Sequence, residues 1–329
     1  MAVPRVLVLG TVALFAVIGV TAGVKKFLFT SKAPEVQQVA KQVPIQKRVE
    51  TTRLALVPTT VAAEPLQKEG DFPEEDCIEQ IFTTGPNKLP FVETITYESN
   101  VPWLKGRPAW LGDYASYYST SRHFIARSLN KKVDYSAQKL LPGSKFNVFK
   151  KDRNFQFYLL VDLSRCKMGF YYVDLDTNER LLLKTFKVGL GKPSKTPSGS
   201  LTPIGRYLLG DKIAVYKPGI MGQFQDKQVE MIRVFGTRWV PFGKEIGQIT
   251  SPAKGLGIHG SPWTTDKKGN WSEVRQMVGT YQSDGCIHMN HEDMEALFSI
   301  IITKPTVIEV VKKLQDARLP GVEVTTLMR

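Results

Sequence analysis

Residues Ser283–Met294, SDGCIHMNHEDM, place a cysteine directly behind a glycine, set His288 and His291 just downstream, and then begin a helix. Gly285 removes a side chain beside the Cys286 sulfur and permits a backbone angle that other residues avoid. Asn290 suits a helix N-cap, Asp293 falls in the first turn, and Met294, Leu297, Phe298 and Ile301 follow at helical spacing. Pro305 closes that helix, and TVIEVV supplies a late strand. Upstream, FQFYLLVDL puts Phe155, Phe157, Leu159, Val161 and Leu163 on one face at period two. KMGFYYVD, the turn-rich LDTNER around Thr177-Asn178, and LLLKTFKVGLG continue a β-meander. GKPSKTPSGSLTPIGRY is a Pro/Gly/Ser loop leading into another strand. Residues 154–312 therefore read as a mostly β domain with one main helix after the cysteine.

The rest of the 329-residue chain reads differently. Val6–Val24 is an uncharged, largely apolar run between Arg5 and Lys25-Lys26, and at about 1.5 Å per residue it just crosses a bilayer core. Residues 1–26 are thus expected to be a transmembrane anchor or a cleaved signal peptide. Residues 27–76, broken by Pro34, Pro44, Pro58, Pro65 and Pro73, are expected to be a flexible tether. WLGDYASYYSTSRHFIARSLN and LLPGSKFNVF mark a small α/β module at 100–150, and residues 313–329 are left as a tail. The formal charge of +13 suits an anionic partner: nucleic acid, lipid headgroups or an acidic wall polymer. No nucleic-acid module or zinc-finger spacing is present, so nucleic acid is set aside. Cys77, Cys166 and Cys286 are odd in number, so at least one thiol is free within the chain.

Cys286, His288, His291 and His259 offer donors for zinc, yet neither Cys-x-x-Cys nor His-Glu-x-x-His occurs, and no metal or cofactor is expected. A nucleophilic thiol needs a base or a positive field. His259, flanked by glycines in GIHGSPW, is the candidate base, and a pair of packed structural residues is the alternative. Such a pair would react as an ion pair and give a bell-shaped pH profile.

GIHGS followed by SDGCIHM resembles the signature of the YkuD-type L,D-transpeptidases. YLLVDLSRCKMGFYYVD, VGLGKPSKTPSGSLTPIGRY and GCIHMNHEDMEAL resemble that domain's opening hairpin, glycine-proline loop and post-cysteine helix, over Phe155 to Val311. The resemblance implies a β-sandwich-like fold that takes a peptidoglycan stem peptide. Cys286 would attack a diaminoacyl carbonyl of a tetrapeptide stem and expel D-alanine, with His259 as base, oriented by a backbone carbonyl close to Gly260. Gly285 and Cys286 would build the oxyanion hole, with Ser283 orienting it. His288, where the family often has Arg, would position substrate, and Trp263 would line the pocket or simply pack. An amine acceptor resolves the thioester by cross-linking or protein anchoring; water would make the enzyme an L,D-carboxypeptidase. The 100–150 module resembles a degenerate LysM glycan-binding module. Stem peptides, glycan strands and, through the N-terminus, the membrane are the expected partners. The catalytic domain is then expected outside the cytoplasmic membrane, in a bacterial envelope. Asp284 departs from the signature and would oppose a thiolate unless it meets solvent or a cation, leaving a catalytically weak wall-binding scaffold as the rival. The 27 positions from His259 to Cys286 leave room for an extra loop. His123 is expected to be structural and His291 exposed at a helix start.

Overall fold

The computed structural model describes residues 70–131, 140–211 and 213–325. Its strands are β1 (Val92–Thr96), β2 (Lys145–Phe149), β3 (Phe155–Asp162), β4 (Lys167–Asp174), β5 (Glu179–Lys187), β6 (Leu190–Gly191), β7 (Gly205–Leu209) and β8 (Ala214–Val215). They continue with β9 (Met221–Phe224), β10 (Lys227–Glu230), β11 (Arg238–Glu245), β12 (Gly257–Gly260) and β13 (Trp263–Thr265). The last are β14 (Trp271–Glu273), β15 (Tyr281–Ser283), β16 (Ile287–Met289), β17 (Thr306–Val311) and β18 (Val322–Glu323). Helices are α1 (Ile78–Phe82), α2 (Leu111–Tyr117), α3 (Arg122–Asn130), α4 (Ile232–Phe235) and α5 (His291–Ile301).

The main sheet runs β16-β12-β11-β7-β17-β3-β4-β5-β18, with β8 added beside β11. Its centre is the meander expected from the period-two pattern: β3 pairs β4 and β4 pairs β5, both antiparallel. Phe155, Phe157, Leu159, Val161 and Leu163 share the larger core with α5, whose Met294, Leu297, Phe298 and Ile301 are buried. The opposite face of β3 is not solvated either. Tyr158 and Leu160 lie beneath Phe72, Leu314, Ala317 and Leu319.

Two expected boundaries are thereby corrected. The last residues of the expected tether, 70–76, are bound to the sheet: Thr185 donates its amide to Glu75 O at 3.0 Å and its hydroxyl to Pro73 O at 2.7 Å. Lys167 Nζ bridges Asp71 and Glu74, each at 2.7 Å. Residues 313–325 are likewise no tail, because β18 pairs parallel with β5 and Leu314 N–H bonds Asp162 Oδ2 at 3.0 Å. The physical reason is the same at both ends. A sheet with two apolar faces needs two covers, and these segments supply the second. The expected anchor, residues 1–26, and the tether through residue 69 lie outside the described residues. Among the described residues no helix is long and apolar enough to cross a membrane.

The small module is β1-α2-α3-β2, its two strands antiparallel, so it starts at Val92 rather than at 100. It has a core of its own around Tyr114, Ile125, Phe146 and Val148. It is also joined to the main domain: Phe124 and Phe149 belong to the larger core, and Phe91 stacks on Tyr172 at 4.2 Å. Ser121 caps α3 through Phe124 N–H at 2.8 Å while its hydroxyl donates to Ser299 O of α5 at 2.8 Å. His123 packs edge-on against Phe298, and burial holds it down at about 3. Its role is packing, as expected.

Candidate active site

Two short strands bring together residues far apart in the chain. β12 and β16 are parallel, with Ile258 opposite Ile287 and His259 opposite His288. Side chains alternate along a strand, so His259 and His288 share a face. Cys286 immediately precedes β16, next to the ladder that pairs His259 with His288. The His259 and His288 rings meet at 4.2 Å between centroids, and the Gly257 backbone hydrogen-bonds the Cys286 thiol.

The buried His259 ring has a fixed orientation. Its Nδ1 lies 2.8 Å from Gly260 O. A carbonyl only accepts, so Nδ1 carries the proton and Nε2 is left as the basic nitrogen. Gly260 O is itself backed by Gly236, the C-cap of α4, whose φ of +63° and ψ of −148° suit glycine alone. A Cβ there would sit 2.8 Å from Gly260 O. Phe235 and Trp239 flank the imidazole at 5.2 and 5.7 Å.

The turn before the thiol is pinned by hydroxyls. Ser283 Oγ donates to Cys286 O at 2.6 Å and accepts from Gly285 N–H at 3.2 Å. Thr202 Oγ1 donates to Gly285 O at 3.0 Å and accepts from Gly191 N–H at 2.8 Å. Ser283 thus holds the turn and engages the Gly285 amide. Of the two amides expected to form an oxyanion hole, Gly285 N–H is turned onto Ser283. Gly285 has φ +118°, and an added Cβ would lie 2.7 Å from Leu201 O. Gly285→Ala should thus cost about 1–3 kcal/mol of stability and displace the thiol. A lowered thermal midpoint together with slowed acylation of Cys286 is the expected result, and unchanged values for both would refute the strain.

Burial pushes the Cys286 thiol up to about 11, with the Gly257 hydrogen bond opposing and Asp284 adding to the shift. Burial, and then the adjacent His288, hold His259 well below 6.5, and the Gly260 carbonyl opposes them. His288 is pushed by burial to about 4. Both shifts favour the neutral thiol and neutral imidazole over the charged pair. His259 is buried and Cys286 partly so, and burial disfavours either charge. Asp284 is turned outward, paired with Lys192 at 2.8 Å, both side chains more than half exposed. That is the condition under which it leaves the thiol tolerable.

Residues 156–310 match the YkuD family, described as the L,D-transpeptidase catalytic domain. The chain carries a YkuD L,D-transpeptidase domain. Solved structures with similarity include the helical cell shape determining protein Pgp2 of Campylobacter jejuni, 16% identical over 51% of each chain at a TM-score of 0.32. L,D-transpeptidase 3 of Mycobacterium tuberculosis is 13% identical over 52% of this chain and 76% of its own, at a TM-score of 0.30. The present chain thus spans about half the length of the Pgp2 chain. None of the curated proteins matches it.

Other expected residues of the L,D-transpeptidase domain lie elsewhere. Trp263 sits on β13 and meets the His291 ring edge-on at 5.2 Å, as the chain leaves β12 at Gly260 for the β13–β14 hairpin. That hairpin is the extra loop foreseen between His259 and Cys286. His291 is not exposed as expected: its Nδ1 lies 3.2 Å from Thr237 Oγ1, beneath Trp263. The Asn290 side chain makes no capping bond, and Glu273 of β14 accepts from His291 N–H at 2.6 Å instead. His288 is buried, its ring against that of His259, with no hydrogen-bond partner on Nδ1. Phe235, Trp239, Thr202 and Lys192 were not singled out from the sequence. Thr202 and Lys192 carried a signal, their place in the Pro/Gly/Ser loop. Among the described residues no three His, Cys, Asp or Glu side chains cluster as a metal site.

Proposed function

We propose that the domain is a cysteine acyltransferase acting on peptidoglycan tetrapeptide stems. His259 Nε2 takes the Cys286 proton as sulfur adds to the diaminoacyl carbonyl. The bond to the terminal D-alanine then breaks, and His259 returns the proton to the departing amine. An amine from a second stem or an anchored protein attacks the thioester, gives its proton to His259 and frees the thiol. One observation carries this reading: the strand that holds the glycine-flanked imidazole pairs with the strand that the thiol directly precedes, with the imidazole tautomer fixed to leave a bare nitrogen.

The formal charge of +13 agrees with an anionic polymer as substrate. The β1-α2-α3-β2 module, with Trp110 71% exposed, is proposed to hold glycan strands. The apolar N-terminal run is proposed to export the domain and keep it at the membrane, on the outer side.

Incubation of the full chain with tetrapeptide-containing muropeptides, followed by mass analysis, tests the reaction. Cross-linked dimer with released D-alanine is expected. Tripeptide alone would identify a carboxypeptidase, and unchanged stems would contradict the assignment in favour of a wall-binding scaffold.

A further inference from the structure

We propose that Thr202 is a positioning residue: its hydroxyl fixes the plane of the Gly285–Cys286 peptide and thereby aims the Cys286 N–H at the oxyanion formed during acyl transfer. The inference rests on Cys286 being the acylated residue.

Thr202 is fully buried. A hydroxyl has one proton, and because Gly191 N–H donates to Oγ1, that proton is committed to Gly285 O. The bond cannot rotate freely. No peptide bond among the described residues is cis. In a trans peptide the C=O of one residue and the N–H of the next point in opposite directions. Holding Gly285 O against Thr202 therefore turns Cys286 N–H away from the loop that carries Thr202. The next peptide is held by Ser283 Oγ on Cys286 O, and the preceding amide by the same oxygen. Two hydroxyls thus define three successive peptide planes around the nucleophile. Ser283 holds the outer two. Thr202 holds the one whose amide remains available for the reaction. Gly285, at φ +118°, lacks the side chain that would otherwise restrict that peptide, so the Thr202 bond supplies the restraint. A donor fixed before reaction needs no reorganisation when charge develops, which is where such donors act most strongly.

The test compares Thr202→Val, Thr202→Ser and Ser200→Ala in the full chain. Ser200 belongs to the same loop: its Oγ accepts from Thr202 N–H at 3.1 Å and donates to Gly191 O at 3.0 Å, without touching Gly285. Each variant is measured for kcat and KM on a tetrapeptide stem. Affinity is also measured for a peptide aldehyde, whose carbonyl adds the thiol to give a tetrahedral oxygen. Thr202→Val should lower kcat about tenfold to a hundredfold, weaken aldehyde binding in parallel and leave KM nearly unchanged. Thr202→Ser should restore both, and Ser200→Ala should keep kcat. Thr202→Ala replaces the valine variant if valine does not fold. Equal losses in Thr202→Val and Ser200→Ala would overturn the proposal, as would a loss confined to KM. If the unaltered chain forms no acyl-enzyme at all, the acyl-transfer reading itself has failed, and that result is visible before any variant is compared.

Discussion

Replacing Cys286 with serine should abolish D-alanine release, by about 10⁴-fold or more in kcat/KM, while leaving the fold intact. The side chain is only partly buried, so the smaller oxygen is accommodated without strain. The loss is chemical. An alcohol holds its proton far more tightly than a thiol, and a histidine that activates serine is normally supported by a carboxylate on its other nitrogen. Here that partner is the neutral carbonyl of Gly260. It orients the ring without stabilising a full positive charge. A scaffold that only binds wall would show the same binding and the same cellular wall composition with serine at 286. Measured D-alanine release near the original rate would remove Cys286 from the chemistry.

His259→Gln should have the second largest effect, about 10³-fold at neutral pH, and its pH dependence is more informative than its size. In the native chain imidazole is the base wherever it is neutral, and burial beside His288 keeps it neutral to well below pH 6.5. The acid limb of kcat/KM should therefore lie below 6.5, followed by a plateau through neutrality. Without the imidazole, only solvent can remove the proton from a thiol held up near 11. The variant's rate should climb about tenfold per pH unit toward that value, so the two profiles converge in alkali. Parallel profiles would show that His259 does not handle the proton. A native acid limb above 7 would contradict the burial argument.

The reactive residues were legible because glycine marks them locally. Gly285 and the glycines around His259 are sequence neighbours of the two residues, and the parallel pairing of β12 with β16 brings the two segments side by side. The β-meander was legible for a similar reason, since the alternation in β3 is a property of consecutive residues. What escaped depends on distant partners. Nothing local announces that Phe72 and Leu319 cover the far side of the sheet, so a polar, proline-broken stretch was read as tether and a short C-terminal stretch as tail. The Asn290 cap looked sufficient until Glu273, eighteen positions away, proved to hold the His291 amide. Trp263 could line the pocket or pack from its place in the sequence, and it packs against His291. Thr202 acts on Gly285 across eighty-three positions, a contact that no motif encodes.

Intact-protein mass spectrometry, on full chain quenched in acid during reaction with a tetrapeptide stem, bears on the central claim most directly. A thioester-sized adduct should appear, localise to the peptide containing Cys286, disappear in Cys286→Ser and accumulate far more slowly in His259→Gln. Stem turnover with no adduct on Cys286, or the same adduct in the serine variant, would contradict the claim.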